Sequence, residues 1–151
     1  MVYLGCILII SAIFFGDLLV KNRIEKGEMD DVQHSIWGGH ILIRKHHNKG
    51  FVLNWGQNRR RMVAVLSVLL SVLMTAVFLF SLGHRGNHLM RVGLAFLLGG
   101  AFSNTYDRLK RQYVVDYFSF NVKWQRLQRI VFNLSDFCIM IGALFVVIGT
   151  I

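Results

Sequence analysis

The stretch VFNLSDFCIMIGALFVVIGTI, residues 131–151, is almost wholly apolar, lacks proline and is long enough to cross a bilayer. It carries one aspartate, Asp136. If the helix begins near residue 130, that side chain lies about two turns in, ~9 Å below the start. A charged, unpaired carboxylate at such a depth is strongly unfavourable. No basic residue follows it in the run, so its charge needs a distant partner or a proton.

Three further apolar runs precede it: VYLGCILIISAIFFG (2–16), MVAVLSVLLSVLMTAVFLFSLG (62–83) and VGLAFLLGGAFSNTY (92–106). A soluble domain of 151 residues hides its apolar positions in periodic stripes. Here 54% of the chain is hydrophobic, mean hydropathy is +0.50, and the apolar positions run unbroken. About 20 residues at ~1.5 Å each cross the ~30 Å of hydrocarbon. The chain therefore reads as one polytopic all-α membrane domain, 1–151, with four transmembrane helices near 2–20, 62–83, 89–106 and 130–151. The third reaches full length only if Leu89 and Met90 join it and Arg91 snorkels to the interface. No basic residue precedes the first run and no small-x-small cleavage site follows it, so it reads as a span. Cys6 and Cys138 fall in different apolar runs and read as buried thiols, without metal-ligand spacing.

A formal net charge of +9 points to nucleic acid in a soluble protein. Basic residues that flank apolar spans, such as RRRM (59–62), point instead to anionic lipid headgroups.

Four spans put both termini on one side, and loops 21–61 and 107–129 together on the other. Of eight acidic residues, four lie in the first loop. The remaining four, Asp17, Asp107, Asp116 and Asp136, gather near one membrane face by connectivity alone. Asn104 and Asp107 repeat the i, i+3 relation of Asn133 and Asp136, so two helices present Asn-x-x-Asp to one polar layer. Asp107 beside Arg108 reads as an interfacial ion pair, and Asp17 with Lys21 as an i, i+4 pair. YVVDYFSF (113–120), β-branched and aromatic, reads as extended and brings Asp116 towards Asp136. Two carboxylates facing each other in a partly dry site are not both ionised at neutral pH. Such a pair activates water: the ionised member takes its proton while the other donates to a carbonyl oxygen.

Loop residues 36–56, IWGGHILIRKHHNKGFVLNWG, hold two β-prone stretches about a turn at Asn48-Lys49-Gly50. The loop histidines His34, His40, His46 and His47 read as solvated or lipid-facing.

GGAFSNTYDR (99–108), VVDYF (114–118) and FNLSD (132–136) resemble, in order and spacing, the signature blocks of the lipoprotein signal peptidase (signal peptidase II) family. GDLLVK (16–21) looks like its first-helix Asp-x-x-x-Lys, and HNKGFVLN (47–54) its Asn-x-Gly element. The resemblance implies an aspartic endopeptidase of the bacterial cytoplasmic membrane, with its active site towards the extracytoplasmic face. By similarity Asp116 and Asp136 are the catalytic dyad. Asn104, Asp107, Arg108 and Asn133 match positions that orient dyad, substrate or lipid. Asn48 and Gly50 match a small extracytoplasmic β cradle between helices 1 and 2, and Asp17 and Lys21 the first-helix polar pair. The substrate implied is a prolipoprotein bearing a diacylglyceryl-cysteine. Membrane lipids surround a monomer, and no nucleic acid, metal or organic cofactor takes part.

The chain departs from that family at Phe51–Asn54, where small residues, then Phe and Ser, are usual, and at Ser103 and Ser135, which stand for Gly and Ala. A hydroxyl at Ser135 is expected to donate to the adjacent catalytic carboxylate. Charge objects to the implied orientation: 15 of the 17 Lys and Arg residues lie in the two loops, leaving Arg85 and Arg91 opposite. The motif match outweighs this count, because a 41-residue loop with its own fold is a poor case for the positive-inside rule. The competing readings are a silent binder of lipidated peptides and a small proton-coupled transporter subunit cycling a proton on Asp136.

Overall fold

A computed structural model describes residues 2–27, 34–50, 57–83 and 88–151. Among these, four helices are long: α1 (Val2–Glu25), α2 (Arg60–Gly83), α3 (His88–Lys110) and α5 (Leu134–Thr150). They are joined by strands β1 (His34–Ile36), β2 (Ile41–Asn48) and β3 (Val114–Phe120) and by a one-turn helix α4 (Gln125–Gln128). Two helical segments are both long and apolar enough to cross a membrane, Tyr3–Glu25 and Arg60–Gly83.

The helices are built inside out. Leu4, Leu8, Phe15, Leu69, Leu73, Phe80, Leu144 and Val147 are more than half exposed, whereas Asp17, Lys21, Asp107 and Ser103 have no exposed surface. Water would reverse that pattern; a hydrocarbon surround accounts for it. Helix α3 packs against α1, α2 and α5. A Cβ on Gly93 would lie 2.7 Å from the Gly142 carbonyl oxygen, and one on Gly142 would lie 2.6 Å from that of Gly93. Gly100 likewise faces the Ser135 carbonyl oxygen at 2.6 Å. With no side chain at these positions the α3 and α5 backbones meet.

Helix α3 begins at His88, so Leu89 and Met90 belong to it. Arg91 does not snorkel: it is buried, and its Nε donates to the Ser81 carbonyl oxygen near the end of α2. A free helix-end carbonyl in hydrocarbon is costly, and this contact satisfies one. After α3, Gln112 takes a left-handed φ of 66°, and its amide donates back to the Arg108 and Leu109 carbonyls.

The expected small β element is present beside the helices, but it is not confined to the loop between the first two spans. It is an antiparallel sheet of order β1-β2-β3 whose third strand comes from the loop after α3. Its register sets His46 opposite Asp116 and Asn48 opposite Val114. The free edge of β3 is closed by Phe132, which bonds to Tyr117 and Phe118. A strand at an interface needs partners on both edges, and one loop supplies only one of them. The hairpin between β1 and β2 turns at 37–40, where Trp37, Gly38 and Gly39 all have positive φ. The arm expected after Gly50, and with it Phe51–Asn54, lies outside the described residues.

Candidate active site

Helix α5 starts at Leu134, four residues later than the apolar run suggests. Asp136 is therefore in its first turn, not two turns deep. Asn133 is the N-cap: its Oδ1 accepts from the Asp136 backbone N–H (2.9 Å), while Asp136 Oδ2 accepts from the Asn133 backbone N–H (3.0 Å). This reciprocal capping box satisfies two N–H groups that the helix cannot. Part of the reason for an acid at this position is thus structural. The signal was present as Asn-x-x-Asp ahead of an apolar run.

The remaining atoms of this cap reach the strand. Asn133 Nδ2 donates to Asp116 Oδ1 at 2.7 Å, and Asn104 Nδ2 donates to Asp136 Oδ1 at 3.0 Å. Asn133 Nδ2 also reaches Asn104 Oδ1 at 3.3 Å. Asp116 Oδ2 accepts from Asn48 Nδ2 at 3.1 Å, and Asn48 Oδ1 accepts from Gly50 N–H at 3.1 Å, which fixes the amide's sense. Arg108 Nη2 donates to the Gly50 carbonyl oxygen at 3.2 Å. Helix α3, helix α5 and strands β2 and β3 thus converge on two carboxylates bridged by one asparagine.

Both acids line a cavity of about 590 Å³, shared with Asn48, Asn104, Arg108 and His46. Asp116 is 2% exposed. Burial first, and then the neighbouring Asp136 carboxylate, push it up to about 7, against the donors Asn133 and Asn48. A carboxyl group held near neutrality beside a second acid suits proton transfer.

Behind the cavity wall lies a second polar cluster. Lys21, with no exposed surface, sits 2.7 Å from Asp17 Oδ2 and 3.3 Å from Asp107 Oδ2. The i, i+4 pair of Asp17 and Lys21 forms, deep in the protein rather than at a helix end. Asp107 pairs with Lys21 and with Arg111 (3.4 Å), not with Arg108, and its Oδ2 accepts from Val115 N–H at the start of β3. Position i+4 along a helix lies over i, whereas i+1 points a quarter-turn away, which frees Arg108 for the cavity. Ser135 corrects a further expectation: its hydroxyl, like that of Ser103, donates to Asp17 Oδ2, not to Asp136.

Two residues escaped the sequence reading. Tyr117 lies on β3 beside Asp116; its hydroxyl donates to Asp17 Oδ1 at 3.0 Å and accepts from Leu134 N–H at 2.8 Å. A tyrosine in a buried strand needs such partners, which was the available signal. His46, half-buried, lines the cavity across the ladder from Asp116, and burial lowers its pKa, favouring the neutral ring. His47 stacks on Tyr113 and bonds Glu25. Among the described residues, no three His, Cys, Asp or Glu side chains converge as a metal ion would require.

Known proteins resemble this chain along nearly its whole length. The family model described as signal peptidase (SPase) II matches residues 9–151. The lipoprotein signal peptidase of Caldicellulosiruptor bescii is 30% identical over 137 residues, covering 91% of this chain and 84% of its own. That of Clostridioides difficile is 31% identical over 108 residues, 67% of this chain and 70% of its own. That of Lactiplantibacillus plantarum is 26% identical across 96% of this chain and 93% of its own. Among solved structures, a bacterial membrane enzyme determined by the in meso method at 2.3 Å superposes with a TM-score of 0.81 over 97% of this chain and 87% of that one. At 19% identity this likeness speaks to the fold. The match across nearly the whole length places the chain in a family of proteases: it belongs to the signal peptidase II family.

Proposed function

We propose that this chain is an aspartic endopeptidase of the bacterial cytoplasmic membrane that cleaves diacylglyceryl-modified prolipoproteins before the lipidated cysteine. The observation that carries the reading is Asn133, whose amide nitrogen holds Asp116 while its carbonyl oxygen and main chain hold Asp136, at the wall of one cavity. The N-terminal end of α5 favours a negative charge at the third helical position, where Asp136 stands. Asp116, on a strand and held near 7, is the member that keeps the proton. In the reaction Asp136 takes a proton from water as its oxygen attacks the scissile carbonyl, and Asp116 donates to the carbonyl oxygen. Collapse of the tetrahedral intermediate returns the proton from Asp136 to the leaving amine and that of the hydroxyl to Asp116.

The apolar exteriors of α1, α2 and α5, with α3 packed among them, support a single four-span domain with the dyad at the extracytoplasmic interface. There the end of a signal helix and its acyl chains reach both the cavity and the lipid. Of the basic residues counted with the loops, Lys21 and Arg111 are paired with Asp17 and Asp107 inside the protein.

The test is cleavage of a lipid-modified and an unmodified precursor by the detergent-solubilised protein and by its Asp116→Asn and Asp136→Asn variants. The expected result is cleavage of the lipidated precursor alone and loss of at least a thousandfold in either variant. Full activity in either variant ends the dyad assignment.

A further inference from the structure

The buried carboxylate of Asp17 takes no part in the reaction outlined above and does not line the cavity. Yet it accepts from four side chains. Its Oδ2 accepts from Lys21 Nζ (2.7 Å), from Ser103 Oγ (2.6 Å) and from Ser135 Oγ, and its Oδ1 accepts from Tyr117 OH (3.0 Å). The three hydroxyl donors come from three different elements, α3, α5 and β3. Each is a chain neighbour of a residue that touches the reacting centre: Ser103 precedes Asn104, Ser135 precedes Asp136, and Tyr117 follows Asp116.

We propose that Asp17 is the registration point of the dyad: held by Ser103, Ser135 and Tyr117, it fixes Lys21 and, through Lys21, the Asn104 amide that donates to Asp136. This rests on the reading of Asp116 and Asp136 as the catalytic pair. Ser103, Ser135, Tyr117, Asp17 and Lys21 are positioning residues. None of them lines the cavity.

The last link in the chain of contacts is Asn104. Lys21 Nζ donates to Asn104 Oδ1 at 2.8 Å, which leaves Asn104 Nδ2 facing Asp136 Oδ1 at 3.0 Å. Turning that amide over would set its N–H groups against an ammonium and its oxygen against a carboxylate, two unfavourable contacts at once. Lys21 thus fixes the sense of the amide, and Asp17 fixes Lys21. Lys21 has a second acidic neighbour in Asp107 on α3, itself held by Arg111. It therefore keeps its place only while Asp17 is pinned on the opposite side. The hydroxyls of Ser103 and Ser135 do that pinning on the very oxygen that Lys21 grips.

The experiment is a coupling measurement on the full chain in detergent with a lipid-modified precursor. Ser103→Ala/Ser135→Ala is made in the wild-type and in the Asn104→Ala background, and kcat and KM are determined separately. The expected result is a loss of about tenfold in kcat with KM within about twofold in the wild-type background, and less than about twofold further loss where Asn104 is absent. Equal fold-losses in both backgrounds, or no loss in the first, overturn the proposal. If the double variant does not accumulate, Ser103→Ala and Ser135→Ala singly, and Tyr117→Phe, give the same comparison one donor at a time. Asp116→Asn measured alongside separates the two ideas. Retained cleavage there defeats the dyad, whereas its loss together with uncoupled serine effects defeats only the registration role.

Discussion

Asn133→Ser separates the two jobs that one asparagine performs. Serine caps helices about as well as asparagine, so its hydroxyl takes over the bond from Asp136 N–H and the capping box survives. What is lost is Nδ2, which donates 2.7 Å to Asp116 Oδ1 and 3.3 Å to Asn104 Oδ1. Asp116 becomes charged as it gives its proton to the substrate, and a hydrogen bond to a charged group contributes about 1.5–3 kcal/mol. If that interaction is made in the transition state, its removal lowers kcat by about 10- to 150-fold. Asn133→Ala removes the same donor and also the cap, adding about 1 kcal/mol of destabilisation. Thermal unfolding in detergent and initial-rate kinetics, run on both variants, give two independent readings. The serine variant should melt close to wild type and turn over slowly; the alanine variant should fall in both. A serine variant that turns over within twofold of wild type would show that the bridge to Asp116 is idle. One that melts as low as the alanine variant would show that the cap was misassigned.

Activity should fall as pH rises through about 7, because the buried Asp116 carboxyl then gives up the proton it must donate. Asn48→Ala removes a donor to the charged form, so that alkaline limb should move to higher pH in a pH profile of kcat/KM. Gly93→Ala and Gly142→Ala each drive a Cβ to 2.7 or 2.6 Å from a facing carbonyl oxygen, and should lower stability by about 1–3 kcal/mol in thermal melts. Gly16→Ala, with nothing within 4 Å of the new Cβ, should leave the melt unchanged or raise stability by up to ~1 kcal/mol.

Much of the site was legible because short-range spacing governs it. Asp17 and Lys21 four apart, and Asn133 and Asp136 three apart, are local relations that any helix or helix cap enforces. The partner of Asp107 was misread because adjacency in sequence suggested Arg108. On a helix the neighbours in space are three and four residues away, and Arg111 and the distant Lys21 took that place. The serines were misread for a similar reason. Ser135 is next to Asp136 in the chain, but consecutive helical side chains diverge, so its hydroxyl reaches Asp17 on another helix. The three-stranded sheet was half visible. The strand character of 113–120 was plain, but nothing local tells a strand which distant edge it will join.

The sequence by itself determined that apolar runs too long and too continuous for a water-soluble core would become helices. It also determined that the few acids left over would collect at one end of them. These follow from hydrocarbon thickness and from the cost of charge within it, which act on each segment separately. Only the tertiary structure decided that Asp17, paired locally with Lys21, became a buried anchor for three other elements, and that Asp116, with no charged residue within four positions, met its bridging partners. The difference lies in what surrounds them: an ammonium and three hydroxyls around one, and side-chain amides with a second acid around the other.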